Sequence, residues 1–327
     1  MKKILLIACS LLTLPLLSDE DNWSLNDGFS IWGDVAFYRR AQGNNHRLII
    51  DEGHGKVNAC GNCSFDNCSS KRLVSDFHYE PGFQVGMAYM TRHSLIEAKY
   101  LFVEQWKSSC HRHDPGLLFF SVSNPDFTTD FSGADSASAD YHSQFQNGEV
   151  NYFRYITPRR GDYFSAGWLA GIRYMSLSEH LDVKFHNGSD TSHYRVHTWN
   201  HIPAIQAGGT IAWNPMRTLS WDLTAKLGMG FDCSRQHTFW GDVNDTIVIR
   251  DYEASKFSIP LVTGAALSLT YQPWRFINIH GAYEFIYLNG VTLAPDQIDK
   301  SSGTAHRIRA IGQTLIHGWT AGIAFTF

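Results

Sequence analysis

No stretch of this chain is apolar for long enough to cross a bilayer as a helix. If the protein sits in a membrane, it must do so as a closed β-barrel. Charge is also scarce: Asp, Glu, Lys and Arg make up 18% of the residues, and the net charge is −4. No basic tract is present, which argues against a nucleic-acid partner. There is no Gly-x-Ser-x-Gly elbow, and no spacing singles out an Asp–His dyad. The sequence therefore points to no enzyme, cofactor or metal centre. Cysteine is sparse, at 6, and one of these, Cys9, lies in the opening apolar run.

That opening run has a simple form. Met1-Lys2-Lys3 precedes an apolar segment from Ile4 to Leu17, and Ser18-Asp19-Glu20-Asp21 follows. A basic start, a short apolar core and a polar exit describe a secretory signal peptide, here 1–18. Residues 19–327 are then the mature domain.

The most informative stretch is Thr218–Asp232, TLSWDLTAKLGMGFD. Every second residue from Leu219 to Phe231 is apolar, while the interleaved set is polar or glycine. Strict alternation makes a strand with one apolar and one polar face. Similar alternation recurs in Phe29–Tyr38, Phe83–Tyr89, Ser94–Trp106, Phe164–Tyr174, Phe257–Tyr271 and Phe276–Leu288, and more weakly in Glu149–Ile156 and Tyr194–Trp213. The last strand, Gln313–Phe327, ends on an aromatic. This resembles the terminal signal by which outer-membrane barrels are handed to the assembly machinery.

Connection lengths decide between a sandwich and a barrel. Thr91–His93, Thr157–Asp162, Asn214–Arg217 and Gln272–Arg275 are short. They alternate with longer polar segments such as Arg39–His78, Lys107–His142, Cys233–Lys256 and Asn289–Gly312, while the hairpin tip near Asn187–Ser192 is intermediate. Alternation by parity is what a transmembrane barrel with short periplasmic turns and long outer loops requires. The expectation is an all-β, antiparallel, ten-stranded transmembrane barrel in the bacterial outer membrane. Twelve strands are the alternative, if Glu179–Phe185 or Thr246–Arg250 also cross.

On the assigned faces, Asp34, Glu97, Lys99, Arg173, Asp222, Lys226 and Glu284 point inward. They either line a small pore or pair across a narrow lumen and fill it. Cys60, Cys63, Cys68, Cys110 and Cys233 fall in predicted outer loops, past an oxidising compartment, so disulfides are expected over zinc. An interloop pair of Cys60 or Cys68 with Cys110 ranks first. The odd thiol, Cys233, is the candidate for a link to a neighbouring molecule. Histidines, including His142, His197 and His201, gather toward the outer loops, where metal capture, a pH-sensitive gate and ordinary polar surface are the competing readings.

Trp168–Asp232 carries a family resemblance, through LAGIRYMSLSEHLDV, TWNHIPAIQAGG and WDLTAKLGMG. It resembles the outer-membrane β-barrel proteins of planctomycete and chlamydia-related bacteria. With YEPGFQVGMAY (Tyr79–Tyr89), it is also similar to the Legionella-type major outer membrane protein family. The resemblance implies a surface or pore-forming barrel and brings no catalytic residues. The expected function is a porin-like passive channel or a structural envelope protein, embedded in outer-membrane lipid. An adhesin-like barrel without a pore is the alternative. A rim hydrolase built from Asp232, Asp242, His197 and His201 is the third.

Overall fold

The architecture comes from a computed structural model that describes residues 28–41, 43–51, 56–57, 63–64, 68–91, 93–121, 131–156, 163–216, 218–298 and 308–327. The expected signal peptide, the turn 157–162, Cys60 and the side chain of Cys63 lie outside the described residues.

Twelve long strands carry the fold. They are β1 (Gly28–Ala41), β2 (Glu80–Met90), β3 (Ser94–Phe120), β4 (Ser132–Tyr155), β5 (Phe164–Asn187) and β6 (Asp190–Met216). Then come β7 (Leu219–Gly230), β8 (Asp232–Asp242), β9 (Ile247–Ser258), β10 (Leu261–Trp274), β11 (Ile277–Val291) and β12 (Gly312–Thr326). Ten of them close a ring, in the order β7-β10-β11-β12-β1-β2-β3-β4-β5-β6 and back to β7, every pairing antiparallel. Closure leaves no sheet edge at membrane depth, which is the condition for strands to stand in hydrocarbon.

The faces alternate as the sequence pattern demands. Outward residues are large, apolar and exposed: Ile31, Val35, Met87, Trp168, Ile172, Leu223, Leu227, Ile279 and Ile323 among them. Inward residues at the same height are polar and buried: Gln84, Glu149, Asn151, Arg173, Gln206, Asp222 and Glu284. This is the lipid-out, polar-in arrangement of a transmembrane barrel. The strand ends at Met90 and Ser94, Tyr155 and Phe164, and Met216 and Leu219 share one end with the joined strand termini, where Phe29 and Phe327 exchange backbone hydrogen bonds of 3.1 and 2.8 Å.

Two of the long polar segments at the opposite end are strands and not loops. β3 and β6 run for 27 residues each and β4 and β5 for 24, well beyond the apolar band. Lys107–Phe120 and Ser132–His142 are therefore the two arms of one hairpin. Cys233–Lys256 is another, β8 with β9. Glu179–Phe185 belongs to the outer part of β5, and Thr246–Arg250 to the tip and start of β9, so neither crosses the membrane and the ring holds ten strands.

β7 and β8 lie along β6 in line, broken only at Phe231; β9 and β10 are broken at Ile259-Pro260. Pro260 has no N–H for the ladder, so its place at a break follows from its chemistry. Gly230 N–H instead donates to Pro260 O at 2.9 Å, and Phe231 N–H to Pro203 O at 2.8 Å. Phe231 marks the outer edge of the apolar band on these strands.

Candidate functional site

The lumen is filled in three tiers. At the short-turn end Ala88, Leu95, Phe153, Tyr155 and Leu169 form a buried apolar floor with Trp32 and Met90 against it. Gly86 sits opposite Trp32 in the ladder, and a Cβ there would collide with the indole ring.

The middle tier is ionic. Glu149 on β4 accepts from Arg173 Nη2, and Lys226 Nζ reaches its other oxygen at 2.6 Å. Gln206 and Asn151 donate to the same carboxylate at 3.2 and 3.1 Å. From the facing wall, Glu284 on β11 takes Lys99 Nζ at 2.8 Å and Tyr38 Oη–H at 2.9 Å. Lys99 stands on β3, and on the shorter way round the ring β12, β1 and β2 lie between it and β11. That ion pair therefore spans the barrel. Buried charges tolerate removal from water only when their lone pairs and protons are matched, and here both carboxylates are multiply bonded.

The outer tier closes the mouth. Arg40 on β1 pairs with Glu179 on β5, again across the ring, and both are fully buried. Tyr141 Oη accepts from Arg40 at 2.9 Å and donates to Glu179 at 2.8 Å. The connection after β11 folds into this mouth: Thr292 to Ile298 are all buried, including a short 3-10 turn at Ala294–Gln297. Ala294 N–H donates to Glu179 at 2.8 Å, Asn200 clasps Thr292 through two bonds of 2.8 Å, and Asp296 accepts from Asn44 at 2.8 Å.

All seven charges assigned inward from the sequence lie on the inner face. Lys99, Arg173, Lys226 and Glu284 belong to the middle tier. Asp34 is bonded to His280 at 2.7 Å and Gln84 at 3.2 Å. Asp222 is buried with Ser220 donating at 3.1 Å, and Glu97 faces buried Asn151 across the ladder. The hub Glu149 and the Arg40–Glu179 pair were missed. Glu149 could have been found by counting back from Val150 and Tyr152, which are exposed on the lipid side.

The rim residues do not assemble a catalytic group. Asp232 and Asp242 face inward and are buried. Asp242 accepts from Ser192 at 2.7 Å, and Asp232 from His201 N–H at 3.2 Å. The His197 and His201 rings point outward, the latter 2.9 Å from Tyr174 Oη. Burial pushes the Asp232 carboxyl up to about 7. Among the cysteines, Cys68 and Cys110 are buried and in mutual hydrogen-bond contact, while Cys233 is exposed. That contact, with burial second, pushes the Cys68 thiol well above its usual range.

No protein-family model matches the chain, and no curated protein matches its sequence. Solved structures similar to it are barrels. The outer membrane protease OmpT from Escherichia coli is 11% identical with a TM-score of 0.49, over 93% of this chain and 99% of that one. Ail, the attachment invasion locus protein of Yersinia pestis, is 10% identical with a TM-score of 0.28, over 93% and 100%. The outer membrane protein OprG from Pseudomonas aeruginosa is 8% identical with a TM-score of 0.27, over 92% and 96%. The barrel description rests on the chain's own strand pairing.

Proposed function

We propose that this is a closed, non-conducting barrel of the bacterial outer membrane, a structural envelope protein that works through its outer wall. The observation that carries the reading is the Lys99–Glu284 bridge across the lumen, between an apolar floor and a folded-in mouth. Ten strands enclose little more than side chains fill, and porins with wide aqueous channels use about 16–18 strands. The resemblance to the Legionella-type and planctomycete or chlamydia-related barrels fits an abundant surface protein. The C-terminal strand ending in Phe327 fits delivery through the barrel-assembly machinery. With its rim carboxylates and imidazoles on opposite faces, the reading includes no catalytic role.

The test is conductance. Purified, folded protein added to a planar lipid bilayer is expected to give no discrete current steps. Stable steps of uniform size from folded protein would sink the closed-barrel reading and restore the channel.

A further inference from the structure

Four histidines on four adjacent strands occupy one level of the outer wall. His142 on β4 lies directly opposite His180 on β5, His180 opposite His197 on β6, and His197 opposite His237 on β8. Directly opposed residues share a face, so all four rings stand in one row. Their neighbours along each strand, such as Tyr141, Leu181, Val196 and Gln236, are buried, so the row is on the outside and half-exposed. His180 lies six residues beyond Tyr174, the last exposed aromatic of the band on β5. That is about 20 Å of strand above the lipid.

We propose that this row is a binding site for a divalent first-row transition-metal ion, centred on His180 and His197. The two ring centroids are 5.3 Å apart at 77°, and His142 to His180 is 6.2 Å at 31°. A metal about 2.0–2.1 Å from each ligating nitrogen holds two ring centres no more than about 6 Å apart. The His180–His197 pair meets that limit with room for bending, while His142 stands at its edge. Among the described residues, no three His, Cys, Asp or Glu side chains are gathered as a metal group. The site therefore supplies two imidazoles, and water completes the coordination. Borderline nitrogen ligands favour copper, nickel and zinc over magnesium or calcium.

The surroundings fit. Trp199 stacks on His197 at 3.8 Å between centroids, and Ser178 Oγ is 3.4 Å from its Nε2, so the ring is held in place. The level above carries Asp140 and Asp182, with Lys184 at 3.9 and 3.3 Å from them and Arg195 3.6 Å from Asp182. Lys184 and Arg195 are thus already matched by acids, while Lys107 stands opposite His142 and Arg235 lies two residues from His237 on the same face. Asp251 holds His237 at 2.8 Å.

The experiment uses untagged full-length barrel in detergent micelles, its fold checked by unboiled gel mobility. Nickel or copper chloride is titrated by calorimetry and by tryptophan fluorescence. Saturable binding is expected, with quenching that is largely lost in Trp199→Phe. His180→Ala and His197→Gln should each weaken binding by about 10–100-fold. His201→Ala, on the same face but off the row, should leave it unchanged. Copper-loaded protein should show two nitrogen ligands by electron paramagnetic resonance. The proposal is overturned if wild-type protein shows no saturable binding. It is equally overturned if either ladder variant that folds binds as wild type does. Because the readout is binding and not current, it fails or stands independently of the closed-barrel reading.

Discussion

The lower and upper halves of this barrel are built on opposite patterns. In the membrane band the outer face is apolar and the inner face polar; above it the inner face is apolar and the outer face polar. β5 shows the inversion within one uninterrupted ladder. Its outward residues run Trp168, Ala170, Ile172 and Tyr174, then Ser176, Ser178, His180, Asp182 and Lys184. Its inward residues run Gly171 and Arg173, then Met175, Leu177, Leu181, Val183 and Phe185, interrupted only by Glu179, which Arg40 neutralises. No register shift occurs between β5 and either neighbour. Hydrophobicity changes sides because the solvent outside changes from lipid to water, while the backbone continues unchanged. A strand is thus set by its alternation, and the phase of that alternation reports what lies outside.

The strongest way to break the comparison is to remove the upper core. Trp240 packs on Tyr194 at 5.5 Å, Phe131 at 5.9 Å and Phe120 at 6.4 Å. Trp240→Ala should destabilise the upper wall by about 3–5 kcal/mol. In hydrogen exchange, residues 177–199 should lose protection while 165–175 keep theirs. Trp168→Ala, on the lipid face, should do neither. Uniform loss over both halves would show that they are not separable.

Asp232, at the junction of the halves, gives a pH test. Its folded carboxyl is raised from 3.8 to about 7, so the protonated form is the one the fold prefers. That contribution is intact below about pH 4 and is lost as pH rises through about 7. Asp232→Asn should therefore change little at pH 4 and stabilise above pH 8, by up to about 4 kcal/mol on full linkage. Thermal unfolding monitored at both pH values checks the sign; equal effects at both would refute the assignment.

A smaller effect is expected from the thiols. We expect Cys68 and Cys110 to join as a disulfide in an oxidising compartment. This ties the short strand pair Arg47–Asp51 and Cys68–Ser69 to β3 and adds less than the loop-entropy value of about 4 kcal/mol, because Ile49–Asp51 is already paired with β3. Mass spectrometry of non-reduced peptides should find the linked pair, and a free Cys68 in oxidised protein would exclude it. The smallest effect concerns the tip between β8 and β9, where Val243, Asn244 and Asp245 all have φ between 50° and 58°. That region is unfavourable for a β-branched residue, so Val243→Gly should raise upper-wall stability by about 1 kcal/mol in the same exchange experiment.

The ten crossings and the side carrying the short turns were legible because lipid-facing alternation is strong in Phe83–Tyr89, Phe164–Tyr174 and Thr218–Asp232. The outer wall was not. Beyond Tyr174 the apolar residues move to the other parity, and a search that follows one phase ends the strand there. The same inversion disguised Lys107–His142 and Cys233–Lys256 as loops. Glu149 was obscured for a related reason: the inner face of β4 mixes Glu149 and Asn151 with Phe153 and Tyr155 as it passes from the ionic tier to the floor. The histidine row is a property of register, and register between distant strands is not written in any one segment.

One consequence follows from where the wall stops. The band is a closed ring, but β9 pairs only with β8 among the described residues, so the outer wall ends in a bare strand. On a crowded cell surface such a rim invites copies to join side by side into ribbons. Asp251, Glu253 and Lys256 stand exposed along it, and Lys256 reaches back to Ile308 O at 3.2 Å. Stacking a second chain there would strip water from those charges, which is how natural sheets discourage lateral polymerisation. The wall can therefore reach far into the medium without offering its last strand as a template for another.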